Sequence, residues 1–290
     1  MTEEPSGPTV LRILLGTQLR RLREARGITA QQAAKAIRAS ESKISRIELG
    51  RNAFREVDIA DLLTLYGVAT VAEREQLLSL ASQANQPGWW HSYQDVLPTW
   101  FQAYIGLEES AECIRSYDAQ FVPGLLQTEE YASAVIELGE FSLEETERLV
   151  VLRKERQRRF TTGSLRLWAV IDEMALRRPV GNPALMRAQL EYLLEISDRP
   201  GLTLQVTPYP RGASYLVPGS FSILRFATAD LPPVVYVEQL TSAMYLDKRS
   251  DVEQYTAALD KVGASSTTHE QTKAFIGALL DELSDSEETT

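Results

Sequence analysis

The chain has 290 residues, 44% of them hydrophobic, and a net charge of −10. This length suffices for two domains and a substantial core, and no apolar run approaches the roughly 18 residues of a membrane-spanning helix. The acidic, polar N-terminus lacks the features of a signal peptide. The single cysteine, Cys113, excludes an internal disulfide, so we expect a protein of the reducing cytoplasm.

The first 86 residues predict a small helical domain behind a short arm. Residues 1–9 are polar and acidic and are expected to form a disordered arm. Residues 10–86 contain five segments in which apolar residues recur at helical spacing. The first of these helices should end at Gly27, because glycine enters the left-handed region at little cost. Thr29 and Gln32 have the spacing of a capping box that opens the second helix.

The third helical segment follows a tight turn and has two different faces. Ile44 and Ile47 lie three residues apart and should pack inward, whereas the opposite face is polar and partly basic. A helix of this kind fits the major groove of DNA, where its side chains reach the base edges. The alternative is the solvated face of an ordinary helical hairpin. The residues predicted to contact DNA are Arg38, Ser40, Glu41, Ser42, Lys43, Ser45, Arg46 and Arg51.

The distribution of charge favours DNA although the total does not. Eleven Lys or Arg and three Glu lie between Arg12 and Arg55, a net charge of +8, so the rest of the chain carries −18. A basic segment attached to an acidic body concentrates the attraction for phosphate at one place. We therefore expect double-stranded DNA as a partner, with weak non-specific binding.

Two segments of this region resemble a known family. LREARGIT, residues 22–29, and ISRIELGR, residues 44–51, are similar to the helix-turn-helix of phage-repressor (XRE-type) regulators. The resemblance implies a DNA-binding domain in which a buried structural ion pair joins Arg23 to Glu48. It covers about a fifth of the chain.

The chain departs from that family at two positions. Arg38 stands where the family usually has glycine, so a residue with a side chain is expected to hold a strained backbone conformation in the turn. Ala30 stands where the family often has a glutamine that contacts a phosphate. The sequence therefore offers no such phosphate contact at residue 30.

A run of aromatic residues follows a breaker cluster at residues 85–88, where we place the domain boundary. Trp89, Trp90, Trp100 and Tyr104 are the members that matter most. We favour core packing or a seam between domains for this run. A pocket or partner groove lined by aromatic rings is the alternative.

Residues 87–283 predict a larger mixed α+β domain with a sheet of short strands, and residues 284–290 an acidic tail. The pattern from Gly106 to Tyr117 is helical, which places Cys113 in a helix. Further helices are predicted after Thr128 and over residues 142–160, 182–197, 248–262 and 268–283, and strands over residues 165–172, 202–209, 220–227, 233–240 and 243–247. The expected fold class is mainly α, with an α/β C-terminal part.

One charged group in this domain that suggests chemistry consists of Glu173, Arg177 and Arg178; Glu238 in a predicted strand is a second candidate. The group follows a predicted strand and offers a site for a carboxylate or phosphate, although a structural ion-pair network is the more usual role. The two histidines, His91 and His269, are far apart, and no metal, cofactor or catalytic motif is recognised. We expect no metal and no cofactor, and we do not expect an enzyme.

Three further segments carry a second resemblance. PGLLQTEEYA at 123–132, IDEMALRRPVG at 171–181 and VVYVEQL at 234–240 are similar to a domain of unknown function that follows helix-turn-helix domains in many actinobacterial regulators. That family has no established chemistry to transfer. Its regulators are commonly encoded beside a very small acidic protein, so the resemblance implies a small acidic protein partner.

These observations favour a sequence-specific DNA-binding transcriptional regulator. A single short recognition helix reads few bases, so we expect a homodimer on a palindromic operator. In this interpretation the larger domain senses an effector or binds a partner. One alternative is that it captures a small partner protein while DNA binding autoregulates the pair. A third is a toxin-like enzyme that uses the group around Glu173.

Overall fold

The computed structural model describes residues 8–50, 53–209, 219–227 and 231–288, and for residues 8 and 285–288 it describes the backbone only. The chain divides into two compact units, and each is described by itself. The first unit comprises the residues up to Ser92, residues 102–110 and Leu231. The second comprises residues 93–101, 111–227 and 232 onward. The first unit therefore includes residues 87–92 and 102–110, which follow the boundary predicted after residue 86.

Five helices make up most of the first unit. They are α1 (Pro8–Ala25), α2 (Ala30–Ala36), α3 (Glu41–Glu48), α4 (Glu56–Leu65) and α5 (Val71–Ala84). Helix α1 already includes residues 8 and 9, and Thr9 is buried. The disordered arm predicted through residue 9 is therefore too long at its C-terminal end, because proline is favoured in the first turn of a helix. The remainder of that arm lies outside the described residues.

The core of the first unit is apolar and draws on all five helices. Leu15 and Leu19 of α1 meet Ile44 of α3, and all three side chains have no exposed surface. Leu62 of α4 and Ala81 of α5 belong to the same cluster. Burying such side chains stabilises the unit by roughly 1.5–3 kcal/mol for each large aliphatic residue.

The aromatic run is divided between the two units, with Trp89, Trp90 and Tyr104 in the first and Trp100 in the second. A short 3₁₀ helix spans Trp89–Tyr93, and helix α6 (Thr99–Ser110) follows. Trp90 is buried, and a Cβ atom at Gly106 would lie 2.7 Å from Thr9 Cβ and 2.9 Å from the Trp90 indole. Glycine is therefore required at this point of α6 by a close approach of side chains.

The second unit is a mixed sheet with helices. Its helices are α7 (Glu129–Ile136), α8 (Leu143–Thr161), α9 (Glu173–Arg177), α10 (Pro183–Ile196), α11 (Arg249–Ser265) and α12 (His269–Glu288). Its strands are β1 (Cys113–Asp118), β2 (Arg166–Asp172), β3 (Leu202–Thr207), β4 (Phe221–Arg225), β5 (Val234–Glu238) and β6 (Ala243–Leu246). The fold class is thus mainly α with an α/β C-terminal part, as predicted.

The sheet has the order β3-β2-β1-β4-β5-β6. Strands β1, β2 and β3 run parallel, and β4, β5 and β6 add antiparallel neighbours on the other side of β1. The parallel strands are connected through helices, as such crossovers require. Val170 and Val235 of the sheet pack with Leu259 of α11 in a shared apolar core. Parallel strands end at the same edge, so the residues after β1, β2 and β3 lie together.

Strand β1 corrects one sequence prediction. The segment Gly106–Tyr117 was expected to be helical, but α6 ends at Ser110 and Cys113–Asp118 form a strand between β2 and β4. A central strand is covered on both faces and shows no simple alternation. Its polar residue Arg115 is buried because the guanidinium lies over the Trp168 ring, 4.1 Å from its centroid, and pairs with Asp260.

Helix α12 also extends further than predicted. It continues through Glu288, whereas the helix was expected to end at 283 and an acidic tail to follow. Residues 289 and 290 of that tail lie outside the described part of the chain. Across the described residues, every helix is too short or too polar to cross a membrane.

Candidate nucleic-acid interface

Helices α2 and α3 are joined by a tight turn, and a side-chain cap lies at the start of each helix. Thr29 Oγ1 accepts from the Gln32 backbone N–H at 3.2 Å, and Gln32 Oε1 accepts from the Thr29 N–H at 2.8 Å. Ser40 Oγ accepts from the Lys43 N–H at 3.3 Å at the start of α3. These bonds satisfy backbone donors that a helix leaves unpaired. The first two fix where α2 begins, and the Ser40 cap fixes where α3 begins.

The turn itself contains a backbone conformation that is unusual for a side chain. Arg38 has φ of 53°, and among the described residues it is the one non-glycine residue with positive φ. The left-handed region costs a residue with a Cβ atom roughly 1–2 kcal/mol. The arginine at this position is therefore kept at a cost to stability.

The inner side of α3 is held by apolar contacts and an ion pair. Ile44 and Ile47 are buried in the core. Arg23 of α1 donates from Nε to Glu48 Oε1 at 2.5 Å and from a terminal nitrogen to Oε2 at 2.9 Å. The two side chains are only 12% and 8% exposed. A third bond runs from Arg23 to the Ile28 carbonyl oxygen at 2.9 Å, so the guanidinium ties α1, the turn before α2 and α3 together.

The outer side of α3 presents polar groups to solvent. Glu41, Ser42, Ser45 and Arg46 are exposed, as are Ser40 and Arg38 before the helix. An exposed arginine on a helix of this size has the reach and donor geometry to bond guanine in the major groove. Of the predicted DNA contacts, Arg51 lies outside the described residues.

Lys43 is placed differently from the other predicted contacts. Its Nζ lies 2.5 Å from Asp58 Oδ2 of α4, and the lysine is only half-exposed. Sequence reasoning did not identify Asp58 as its partner. The signal was present, because Asp58 lies four residues before Leu62 and therefore on the buried face of α4.

The aromatic residues do not form one site. Trp90 and Tyr104 are buried, and Trp89 donates from Nε1 to Glu109 Oε2 at 3.2 Å within the first unit. Trp100 belongs to the second unit, where its carbonyl oxygen accepts from the Tyr245 hydroxyl at 2.5 Å. Packing thus accounts for the buried members of the run.

The charged group after β2 is an ion-pair network. Arg177 donates to Glu173 at 2.5 Å and to Glu282 of α12 at 2.6 Å, and these carboxylates raise the pKa of Arg177. Glu173 also accepts from the Tyr209 N–H at 2.8 Å. Arg178 lies apart from this network and donates to the Gln120 carbonyl oxygen at 3.4 Å. The structure therefore brings Glu173 and Arg177 together and leaves out Arg178.

Polar residues that the sequence did not single out lie where β1 and β2 end. The Tyr117 hydroxyl donates to Asp172 Oδ2 at 3.0 Å, and Asp172 Oδ1 accepts from the Met174 N–H at 2.9 Å, which caps α9. Burial raises the pKa of the Asp118 carboxyl group to about 7, opposed by a hydrogen bond from Ser116 Oγ at 2.6 Å. Within the described residues, no three His, Cys, Asp or Glu side chains are grouped as metal ligands would be.

Two family models match the chain. One, described as a domain of unknown function (DUF5753), matches residues 101–278, which is more than half of the sequence. The other, described as a helix-turn-helix domain, matches residues 14–77 and so includes α2, the turn and α3. No curated protein matches the chain, and no solved structure does.

Proposed function

Because this chain belongs to the DUF5753 family and carries a helix-turn-helix DNA-binding domain before it in the sequence, we propose that it is a sequence-specific transcription regulator of XRE type. The main support for this proposal is the way α3 is held. Its inner side is fixed by the core and by the Arg23–Glu48 pair, and its outer side exposes Ser42, Ser45 and Arg46. A helix held in one orientation with polar groups outward is what base readout in the major groove requires.

The exposed cations near α3 support attraction to the DNA backbone. Lys35, Arg38 and Arg46 are exposed around the turn and α3, within the segment that carries a net charge of +8. Phosphate contacts supply affinity that falls with salt, whereas base contacts supply specificity. The net charge of −18 on the rest of the chain opposes non-specific binding. We propose that the protein works in the cytoplasm.

We further propose that the regulator is a homodimer that binds a palindromic operator. A two-fold pair of recognition helices doubles the base contacts and fixes the spacing of two half-sites. Exposed apolar residues on helix α8 support a dimer interface in the larger domain. Leu143 and Val151 lie eight residues apart on one face of α8 and are 76% and 54% exposed.

For the larger domain we propose a binding role, either sensing an effector or holding a small acidic partner protein. The enzymatic alternative depended on Glu173, Arg177 and Arg178. Glu173 and Arg177 are engaged with each other, with Glu282 and with the backbone at Tyr209, which is how a structural network uses such residues. We therefore do not propose an enzyme.

Selection of bound genomic fragments by the full-length protein tests the DNA-binding proposal. The expected result is one enriched palindromic sequence, bound in competition with random DNA. Enrichment of no sequence would overturn it. Light scattering of the same preparation at micromolar concentration should give the mass of a dimer, and a monomer mass would remove the dimer proposal alone.

A matched pair of variants then tests the proposed interface. Changing Leu143 and Val151 together to Ser should shift the protein toward monomer, because both exposed apolar side chains of this face of α8 are lost. Glu147→Ser changes an exposed polar residue of the same helix face and should leave the dimer intact. A dimer that survives the first change would place the interface elsewhere. A stoichiometric small acidic protein that purifies with the full-length chain would support the partner role.

A further inference from the structure

The Lys43–Asp58 pair joins the recognition helix α3 to α4. The Lys43 Nζ lies 2.5 Å from Asp58 Oδ2, and the Asp58 side chain is only 7% exposed, against 32% for Lys43. The Asp58 carboxylate thus sits on the buried face of α4. Lys43, although it belongs to the helix proposed to read DNA, turns its charge toward the protein.

A buried carboxylate is costly unless a charged or hydrogen-bonding partner faces it. If Lys43 moved outward to a phosphate, Asp58 would lose the partner that its burial requires. An exposed cation faces no such cost when it meets a phosphate. Lys35 and Arg46 are exposed and suit that role, whereas Lys43 does not.

Two ion pairs hold the inner side of α3. Lys43 ties its first turn to α4, and Glu48 ties its last turn to Arg23 of α1. Ile44 and Ile47 fill the core between these two points. A helix anchored at both ends, on the two flanks of its buried face, has little freedom to rotate about its axis, and rotation would move Ser42, Ser45 and Arg46 away from the bases that the proposed function has them read.

We propose that Asp58 and Lys43 are positioning residues for base readout, and that Lys43 makes no phosphate contact. This inference rests on the proposed function. It separates the positive charges of the helix-turn-helix into one that orients α3 and others that meet DNA. It also assigns Asp58, which faces no DNA, a part in sequence specificity.

The test compares full-length variants on the enriched operator and on random DNA over a range of salt concentrations. Lys43→Met and Asp58→Asn should each weaken operator binding roughly tenfold and leave random-DNA affinity and its salt dependence unchanged. The double variant should resemble either single variant, because both remove the same interaction. Lys43→Arg, which keeps a cation facing Asp58, should restore most of the operator affinity.

Lys35→Met is the matched control, since Lys35 is an exposed lysine on α2. Its loss should weaken both DNAs and reduce the slope of log affinity against log salt by about 0.9. If Lys43→Met behaves like this control while Asp58→Asn binds no worse than wild type, Lys43 is a phosphate contact and the inference is overturned.

The wild-type protein in the same assay distinguishes the proposed function from this inference. Wild-type protein that does not distinguish operator from random DNA would overturn the proposed function and this inference together. Selective wild-type binding, with Lys43→Met following the Lys35 control, would overturn only the inference. Should Lys43→Met be unstable, Lys43→Arg and Asp58→Asn still decide the outcome, because only positioning predicts that Asp58→Asn loses specificity.

Discussion

Glu48 in the first unit is a buried carboxylate and Asp118 in the second is a half-buried one, and they differ in what they face. Glu48 receives two hydrogen bonds from the Arg23 guanidinium, at 2.5 and 2.9 Å. Asp118 receives one, from the Ser116 hydroxyl at 2.6 Å. A guanidinium offsets a full negative charge, whereas a hydroxyl offers only a dipole.

The difference assigns the two carboxylates opposite effects on stability. Glu48 contributes as a charge, because removing it takes two carboxylate hydrogen bonds from the buried Arg23 guanidinium. No opposite charge among the described residues faces Asp118, and burial raises the pKa of its carboxyl group to about 7. Its neutral form therefore fits the fold better than its charged form. Burial alone does not tell whether an acidic residue stabilises a protein, since the partner decides.

The largest loss of stability is expected for Glu48→Ala. Breaking a buried ion pair on one side costs about 3–5 kcal/mol, so the transition of the first unit should occur at a clearly lower temperature in calorimetry. Glu41→Ala, an exposed glutamate at the start of the same helix, is the control and should change little. An unchanged transition for Glu48→Ala would mean that the pair contributes as weakly as a surface pair.

Asp118→Asn tests the other side of the comparison. The folded-state pKa is raised above the ordinary value of 3.8, so the folded protein holds a proton that the unfolded chain releases between about pH 4 and pH 7. The wild-type free energy of unfolding should therefore fall as pH rises through this interval. Asparagine is neutral throughout, and the variant should gain on the order of 2–4 kcal/mol over wild type by pH 7.

Denaturant unfolding at several pH values measures that gain. Glu191→Gln, at an exposed position on α10, is the control and should follow the wild-type pH dependence. Parallel curves for wild type and Asp118→Asn between pH 4 and pH 7 would show that the Asp118 carboxyl group titrates like a solvated one, and the contrast with Glu48 would then disappear.

Arg46 extends the comparison to arginines that face inward and outward. Arg23 is engaged with Glu48, whereas Arg46 is exposed on the outer face of α3. Arg46→Ala should lose about 1–3 kcal/mol of operator affinity and leave thermal stability almost unchanged. Arg46→Lys keeps the charge without the bidentate donors, so it should retain random-DNA binding and still lose specificity. Equal losses of Arg46→Ala on operator and random DNA would limit Arg46 to phosphate contact.

The sequence predicted the local features of the recognition segment well, because they depend on neighbouring residues. The capping box of Thr29 and Gln32 follows from residues three positions apart, whereas the unusual backbone at Arg38 was expected from the family resemblance. The Arg23–Glu48 pair, 25 residues apart, was reached only through family resemblance. Partners this distant in sequence are set by the packing of helices, which local patterns do not specify.

The sequence analysis missed the Lys43–Asp58 pair and wrongly predicted a helix at β1, and both errors have the same physical origin. The partner of Lys43 was missed because Asp58 lies on another helix, and only the packed unit shows which side of α3 faces α4. Strand β1 was mistaken for a helix because a central strand is covered on both faces and need not alternate. Arg115 is tolerated there only because Trp168 and Asp260 surround its guanidinium, and neither neighbour is close in sequence.

The smallest change in free energy is expected for Arg38→Gly, which should raise stability and lower DNA affinity. Arg38→Gly removes the cost of a Cβ atom at φ of 53°, partly offset by the greater freedom of glycine in the unfolded chain, so the net gain should be about 0.5–1 kcal/mol. Arg38→Ala is the matched control, because it removes the same charge and keeps the Cβ atom. Both variants should lose the same random-DNA affinity if Arg38 meets a phosphate, while only the glycine variant melts later. Equal melting temperatures for the two would show that the turn carries no strain at Arg38. Unchanged binding of random DNA would remove Arg38 from the DNA contacts. The contrast between charges that face the protein and charges that face DNA would then apply to α3 alone.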